Sequence, residues 1–162
     1  MSTQGNTELN KGIPLIKGAF VVIVKTEWNA HITDKLEEGC RKFLETNGLT
    51  CTTIIVPGVF EIPFAVRMYY KRSLPRADAF IALGAVVRGG TPHFDYVCKG
   101  VTDGIVLLNN TMEVPTIFGI LTVDNEEQAF DRIGGKHGHK GEEAAITTIK
   151  MIDFSRSLHK VL

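Results

Sequence analysis

The segment Arg88-Gly89-Gly90-Thr91-Pro92-His93-Phe94-Asp95 gathers a cation, two glycines, a hydroxyl and an imidazole in one short stretch. Two missing Cβ atoms let backbone N–H groups come close to a ligand, and a helix starting just beyond would turn its amino end toward an anion. Arg88 and Thr91 suit a small phosphate or carboxylate, and His93 can pass protons near neutral pH. A tight strand-to-helix turn would use the same glycines, and a loop histidine can be merely solvated. Trp28, the only tryptophan, sits with Asn29 in a break between apolar runs. There a heteroaromatic ring could stack on it, or it could cap the core. Glu61, between Phe60 and Ile62 with Val59 before and Pro63 after, is a carboxylate in an apolar setting. It suits a ligand hydroxyl, or the amino end of a helix.

Gly134-Gly135-Lys136-His137-Gly138-His139-Lys140-Gly141 lacks the Gly-x-x-x-x-Gly-Lys-Ser/Thr spacing of a P-loop and follows no strand pattern. Its two histidines have no carboxylate or cysteine within the segment to complete a metal set, so no metal is expected. It reads as a flexible basic hinge between two helices, with Arg132 and Lys140 flanking it and able to neutralise a phosphate.

The elements that must position these residues follow from periodicity. Ala19–Val24 is a β-branched run of the kind buried on both faces of a sheet. Ile32, Leu36, Cys40, Phe43 and Leu44 form a helical stripe that stops at Asn47-Gly48, predicting a helix over His31–Thr46. The alternation continues with strands at Cys51–Val56, Ala79–Val87 and Pro115–Thr122. Helical stretches are predicted at Phe60–Lys71, Asp95–Asn110, Glu126–Ile133 and Gly141–His159. This is the pattern of an α/β three-layer sandwich, a four-stranded parallel sheet flanked by helices. The polar start gives an N-terminal arm (1–17) before a single α/β domain (18–162). In such sheets ligands bind beyond the carboxyl ends of the strands. The Trp28 and Glu61 segments and the Arg88–Asp95 loop all fall there.

The 162 residues are 44% apolar, and 18 Lys+Arg balance 18 Asp+Glu. A zero formal charge removes the electrostatic footprint of a nucleic-acid or anionic-membrane binder and leaves little repulsion between copies. Three scattered cysteines give neither a disulfide framework nor a zinc spacing. No apolar run spans a bilayer, and the first ten residues lack a signal peptide's features. The expectation is a cytoplasmic, reduced protein.

Four motifs stand in order: PGVFEIP at Pro57–Pro63, GAVVRGGTPHFDYV at Gly84–Val97, IFGILT at Ile117–Thr122 and RIGGKHGHKG at Arg132–Gly141. With them the chain resembles the 6,7-dimethyl-8-ribityllumazine synthase family from about Gly18 to Phe154. The resemblance implies condensation of 5-amino-6-(D-ribitylamino)uracil with 3,4-dihydroxy-2-butanone 4-phosphate, the penultimate step of riboflavin biosynthesis, without metal or organic cofactor. It places Trp28 on the pyrimidine ring. Val59, Phe60 and Glu61 fall on the ribityl chain, and Ala85, Val86 and Val87 offer backbone groups to the same substrate. Gly90 and Thr91 match the phosphate site, with Arg88 beside them, and His93 the proton-transfer position. Phe118, Arg132 and Lys140 would come from a neighbouring subunit. The implied assembly is a homopentamer, which in some members builds an icosahedral shell of twelve pentamers; riboflavin synthase is a candidate partner. Trp28 stands where phenylalanine is more common, and Val59 and Gly90 where alanine or another small residue is frequent. No reacting group is lost. Two other readings compete: a flavin or nucleotide binder on a flavodoxin-like sheet, and a non-catalytic shell protein. The first would bind flavin tightly without releasing phosphate. The second would have no use for Glu61, Arg88, His93, Arg132 and Lys140 together.

Overall fold

The computed structural model describes residues 8–158. Strands β1 (Phe20–Thr26), β2 (Thr50–Val56), β3 (Ala79–Val87) and β4 (Thr116–Val123) form one sheet in the order β2-β1-β3-β4, every pair parallel. The predicted α/β three-layer architecture is present, and each predicted strand falls within one or two residues of an observed one.

The sheet divides the core by its period of two. Val21 and Ile23 of β1, with Ile81 and Leu83 of β3, pack against α1 (Ala30–Thr46) and α5 (Lys140–Leu158). Val22 and Val24, with Phe80 and Ala82, pack against α2 (Ile62–Arg72) and α3 (His93–Thr111). Residues 21–24 are therefore wholly buried, which is why that run reads as continuously apolar rather than alternating. At the amino end of the sheet Asp78 accepts from the Phe20 N–H (2.8 Å) and pairs with Arg156 (3.0 Å), fixing the chain where it enters β1.

Three differences from the sequence reading concern connections. The helix expected from Phe60 is a 3-10 turn, Val59–Glu61, followed by α2 from Ile62. The helix expected over Glu126–Ile133 is the single turn α4 (Glu126–Phe130), opened by Asn125, whose side chain accepts from the Gln128 N–H. The Gly134–Gly141 segment, read as a flexible hinge, is instead an antiparallel hairpin of β5 (Ile133–Gly135) and β6 (Gly138–His139). Gly138 takes a positive φ of 79° in it, and Lys140 N–H bonds the Arg132 carbonyl at 2.8 Å. Of the N-terminal arm, residues 1–7 lie outside the described residues. The rest lies against its own chain: Lys150 Nζ holds the Leu9 and Lys11 carbonyls at 2.7 and 2.9 Å, and Ile16 is buried. Among the described residues no helix is long and apolar enough to cross a membrane.

Candidate active site

A cavity of about 550 Å³ lies beyond the carboxyl ends of β1, β2 and β3, beside the start of α3. After β1 the chain stays paired with the chain leaving β2: Glu27 N–H donates to the Val56 carbonyl (2.8 Å) and Trp28 N–H to that of Pro57 (3.1 Å). Asn29 then adopts a left-handed conformation, φ 60°, which asparagine accepts more readily than most residues. Its side chain donates to the Ala85 carbonyl at 2.9 Å, and its own carbonyl accepts from the Ile32 and Thr33 N–H groups in the first turn of α1. Asn29 thus ties this turn to β3. The backbone of Trp28 is fixed while its side chain is left 74% exposed at the cavity rim, which sets aside the core-cap reading.

The PGVFEIP motif forms the opposite wall. Pro63 falls in the first turn of α2, where its missing N–H costs no hydrogen bond. The 3-10 turn lies close to β3 and α3 because glycines face it. A Cβ on Gly84 would come within 2.5 Å of Val59, and one on Gly100 within 2.5 Å of the Phe60 ring. Val59 is buried, whereas Phe60 and Glu61 remain exposed along the cavity. Glu61 stands at the N-cap of α2, where its charge suits the helix's amino end, but its side chain caps no helix N–H and has no hydrogen bond among the described residues, which leaves its oxygens open to a ligand.

Ala85, Val86 and Val87 end β3 in the cavity wall, and Gly89, Thr91 and His93 continue it. Gly89 and Gly90 have no positive φ, and a Cβ on either would meet nothing within 4 Å. Neither turn geometry nor packing asks for glycine there, which favours the close-approach reading. His93 is the first residue of α3, so Tyr96 and Val97, one turn on, share its face and line the cavity. The Thr91 hydroxyl and the His93 imidazole have no hydrogen-bond partner among the described residues.

Arg88 behaves differently. Its guanidinium pairs with Asp124 (2.8 Å) and Asp95 (3.2 Å) and lies 4.0 Å from the centroid of the Phe94 ring. The hydrogen bond to Asp124 is the chief cause of an upward shift in its pKa, so it is charged throughout the working range. Neither Arg88 nor Gly90 is among the residues lining the cavity.

Phe118, Arg132 and Lys140 line a different groove, of about 1110 Å³, along β4, α3 and α5. The two linings have no residue in common. Phe118 points out of β4, 42% exposed. The β5–β6 hairpin brings Arg132 next to Lys140; the Lys140 ammonium pairs with Glu143, while Arg132 has no carboxylate partner among the described residues. The chain therefore separates the site residues into two sets on different surfaces.

Sequence reasoning missed Thr26, Phe94, Tyr96 and Val97 in the cavity wall. Spacing of three and four residues from His93 could have found Tyr96 and Val97. Thiol nucleophiles are not offered: burial pushes the Cys40, Cys51 and Cys98 thiols above their usual range.

The 6,7-dimethyl-8-ribityllumazine synthase family model matches residues 18–156. The chain is 53% identical to the 6,7-dimethyl-8-ribityllumazine synthase of Parabacteroides distasonis over 137 residues, 82% of this chain and 84% of the other. It is 50% identical to that of Bacteroides fragilis over 141 residues, 85% and 97% of the two chains. The enzyme of that name from Lactiplantibacillus plantarum is 42% identical over 146 residues, 88% and 91%. With PGVFEIP after β2 and GAVVRGGTPHFDYV at the end of β3 both brought to the cavity, and the family matched over most of its length, the chain belongs to the 6,7-dimethyl-8-ribityllumazine synthase family.

Proposed function

We propose that the protein condenses 5-amino-6-(D-ribitylamino)uracil with 3,4-dihydroxy-2-butanone 4-phosphate to 6,7-dimethyl-8-ribityllumazine, releasing phosphate and water, in riboflavin biosynthesis. Beyond family membership, the observation that carries this reading is one cavity rimmed by an exposed indole, a carboxylate and an imidazole, the last two without hydrogen-bond partners among the described residues. Trp28 stacks on the pyrimidine. Glu61 accepts hydrogen bonds from the ribityl hydroxyls, with Val59 and Phe60 beside the same chain and the backbone of Ala85–Val87 on the ring. Backbone N–H groups at Gly90 and Thr91, with the Thr91 hydroxyl, hold the phosphate at the start of α3.

The uracil amine attacks the ketone carbonyl and one water leaves to give the imine; phosphate is then eliminated, and attack of the ribitylamino nitrogen on the remaining carbonyl closes the ring with loss of a second water. Each step moves a proton near neutral pH, which suits His93. Acid–base help of this kind is worth ~10²–10⁴-fold, so holding two reactants together supplies the rest. Neither metal nor organic cofactor takes part.

Family membership favours a homopentamer as the working unit, in which Phe118, Arg132 and Lys140 of one copy complete the cavity of the next; that these three residues line a separate groove supports this reading. Twelve pentamers stacking into a shell, a cytoplasmic location and riboflavin synthase as partner belong to the same reading. Sedimentation separates the assemblies: a single species of one pentamer's mass excludes the shell. Mixing the protein with both substrates is expected to release phosphate together with the lumazine chromophore. Tight flavin binding with no phosphate release would replace this reading by the flavin-binding one.

A further inference from the structure

The loop that carries Gly89, Thr91 and His93 has little to hold it in place. Its two glycines have no side chains, and the space a Cβ would occupy at either is empty. The Thr91 and His93 side chains find no hydrogen-bond partner among the described residues. Yet a flexible loop would have to be ordered each time a substrate bound, and a misplacement of ~1 Å at a reacting group costs on the order of 10²-fold in rate.

Arg88 supplies the missing restraint. Its backbone N–H bonds the Val123 carbonyl at 2.9 Å, which sets the loop's first residue on the end of β4. From there the side chain reaches in two directions. Nε donates to Asp124 at 2.8 Å, and one terminal nitrogen to Asp95 at 3.2 Å in the first turn of α3. The guanidinium plane also covers the Phe94 ring, 4.0 Å from its centroid. The Asp95 contact closes residues 88–95 into a ring of chain, and the Asp124 contact moors that ring to β4. Asp124 is held in turn, since its N–H donates to Gln128 Oε1 at 2.9 Å. A planar fork with several donors can serve both carboxylates and stack at once; a lysine ammonium cannot.

We propose that Arg88 is a positioning residue, not a phosphate ligand: with Asp95, Asp124 and Phe94 it clamps the 88–95 loop so that Thr91 and His93 meet the substrates in place. Both carboxylates and the guanidinium are largely exposed, so the clamp adds little to global stability. Its effect falls on loop order and on turnover. The inference rests on the proposed reaction only for its kinetic arm.

The test is a double-mutant cycle of Arg88→Met and Asp124→Asn in the assembled protein, with backbone hydrogen exchange over residues 88–95, where the Arg88 and Asp95 N–H groups are bonded to the Val123 and Pro92 carbonyls, as a readout that needs no substrate. In both single variants the loop amides are expected to exchange at least about tenfold faster, while β1 and β3 amides and Tm stay as in wild type. Turnover should fall about tenfold or more in Arg88→Met, partly in Asp124→Asn, and no further in the double variant. Arg88→Lys should not restore it. Unchanged loop exchange in Arg88→Met overturns the clamp. So does a weaker binding of inorganic phosphate in Arg88→Met that Asp124→Asn does not share, since that marks a direct phosphate ligand. If wild type forms no lumazine, the proposed reaction fails while the exchange measurement still decides the clamp.

Discussion

Two polar clusters flank the carboxyl half of β1, and they are built on opposite terms. On the α1 side Lys25 pairs with Asp34 (2.6 Å) and Glu37 (2.7 Å), while Glu37 also receives Arg41 (3.1 Å) and the Thr53 hydroxyl. Arg41 completes the circle by donating to Thr53. Every charge there is answered by another, and Lys25 and Glu37 are only 11% and 17% exposed. On the other side, around the cavity, Glu61, Thr91 and His93 have no partner among the described residues, and an indole stands in solvent. The lesson is that a satisfied polar cluster holds the fold, whereas polar groups left unanswered around a concavity are kept for a ligand. Arg88 belongs by its contacts to the first kind although it stands beside the second.

Substitutions break this comparison in graded ways. His93→Ala should have the largest effect, lowering kcat ~100-fold or more while leaving measurable turnover, read by steady-state phosphate release. Complete loss in a folded, assembled variant would show that proton transfer carries more than positioning. Arg132→Ala should come next, raising KM for the phosphate substrate about 10–100-fold with a smaller change in kcat. An unchanged KM would remove Arg132 from the site. Trp28→Ala should weaken the uracil substrate by about 3–10-fold, the loss of a stacking partner, with the phosphate substrate unaffected.

Glu37→Gln belongs to the other cluster and should leave turnover unchanged. Burial alone would raise the Glu37 pKa, but hydrogen bonds from Lys25, Thr53 and Arg41 outweigh it and hold the carboxyl below its usual value. A lowered folded value means that Glu37 stabilises the protein above the unfolded carboxyl's pKa of ~4.3, and that this contribution disappears as pH falls through the folded value. Near neutral pH the variant should lose about 1–3 kcal/mol, seen as a lower Tm. The difference from wild type should shrink as pH falls below the unfolded carboxyl's value and close below the lower folded one. A constant difference across that range would detach the effect from ionisation.

The strands were legible because their period and β-branched content mark burial directly: Val21–Val24 could scarcely be anything else. The carboxyl-end loops were legible too, since Gly, Trp, His and Glu interrupt apolar runs where a parallel sheet puts its ligands. The β5–β6 hairpin was not, because Gly-Gly-Lys-His-Gly-His has no strand propensity and its ladder is fixed by Gly138's conformation and the Arg132–Lys140 bond. Nor were the partners of Arg88 and Glu37. Asp124 lies 36 positions from Arg88, and Thr53 lies 16 from Glu37. Such pairs exist only once the sheet has brought their ends together. Gly89 and Gly90 are the converse: sequence left turn and ligand open, and the empty space around both favours the ligand.

The central claim is that one copy's cavity is completed by the next copy's groove, and co-assembly of two damaged variants tests it most directly. One variant carries Trp28→Ala and His93→Ala, the other Arg132→Ala, so each loses one surface and keeps the other. Co-expressed in equal amounts and assayed with the phosphate substrate well below the wild-type KM, they should regenerate sites with both surfaces intact and reach about a quarter of wild-type turnover, well above either parent, by random mixing around a closed ring. Turnover equal to the average of the two parents would contradict the account and confine the active site to a single chain.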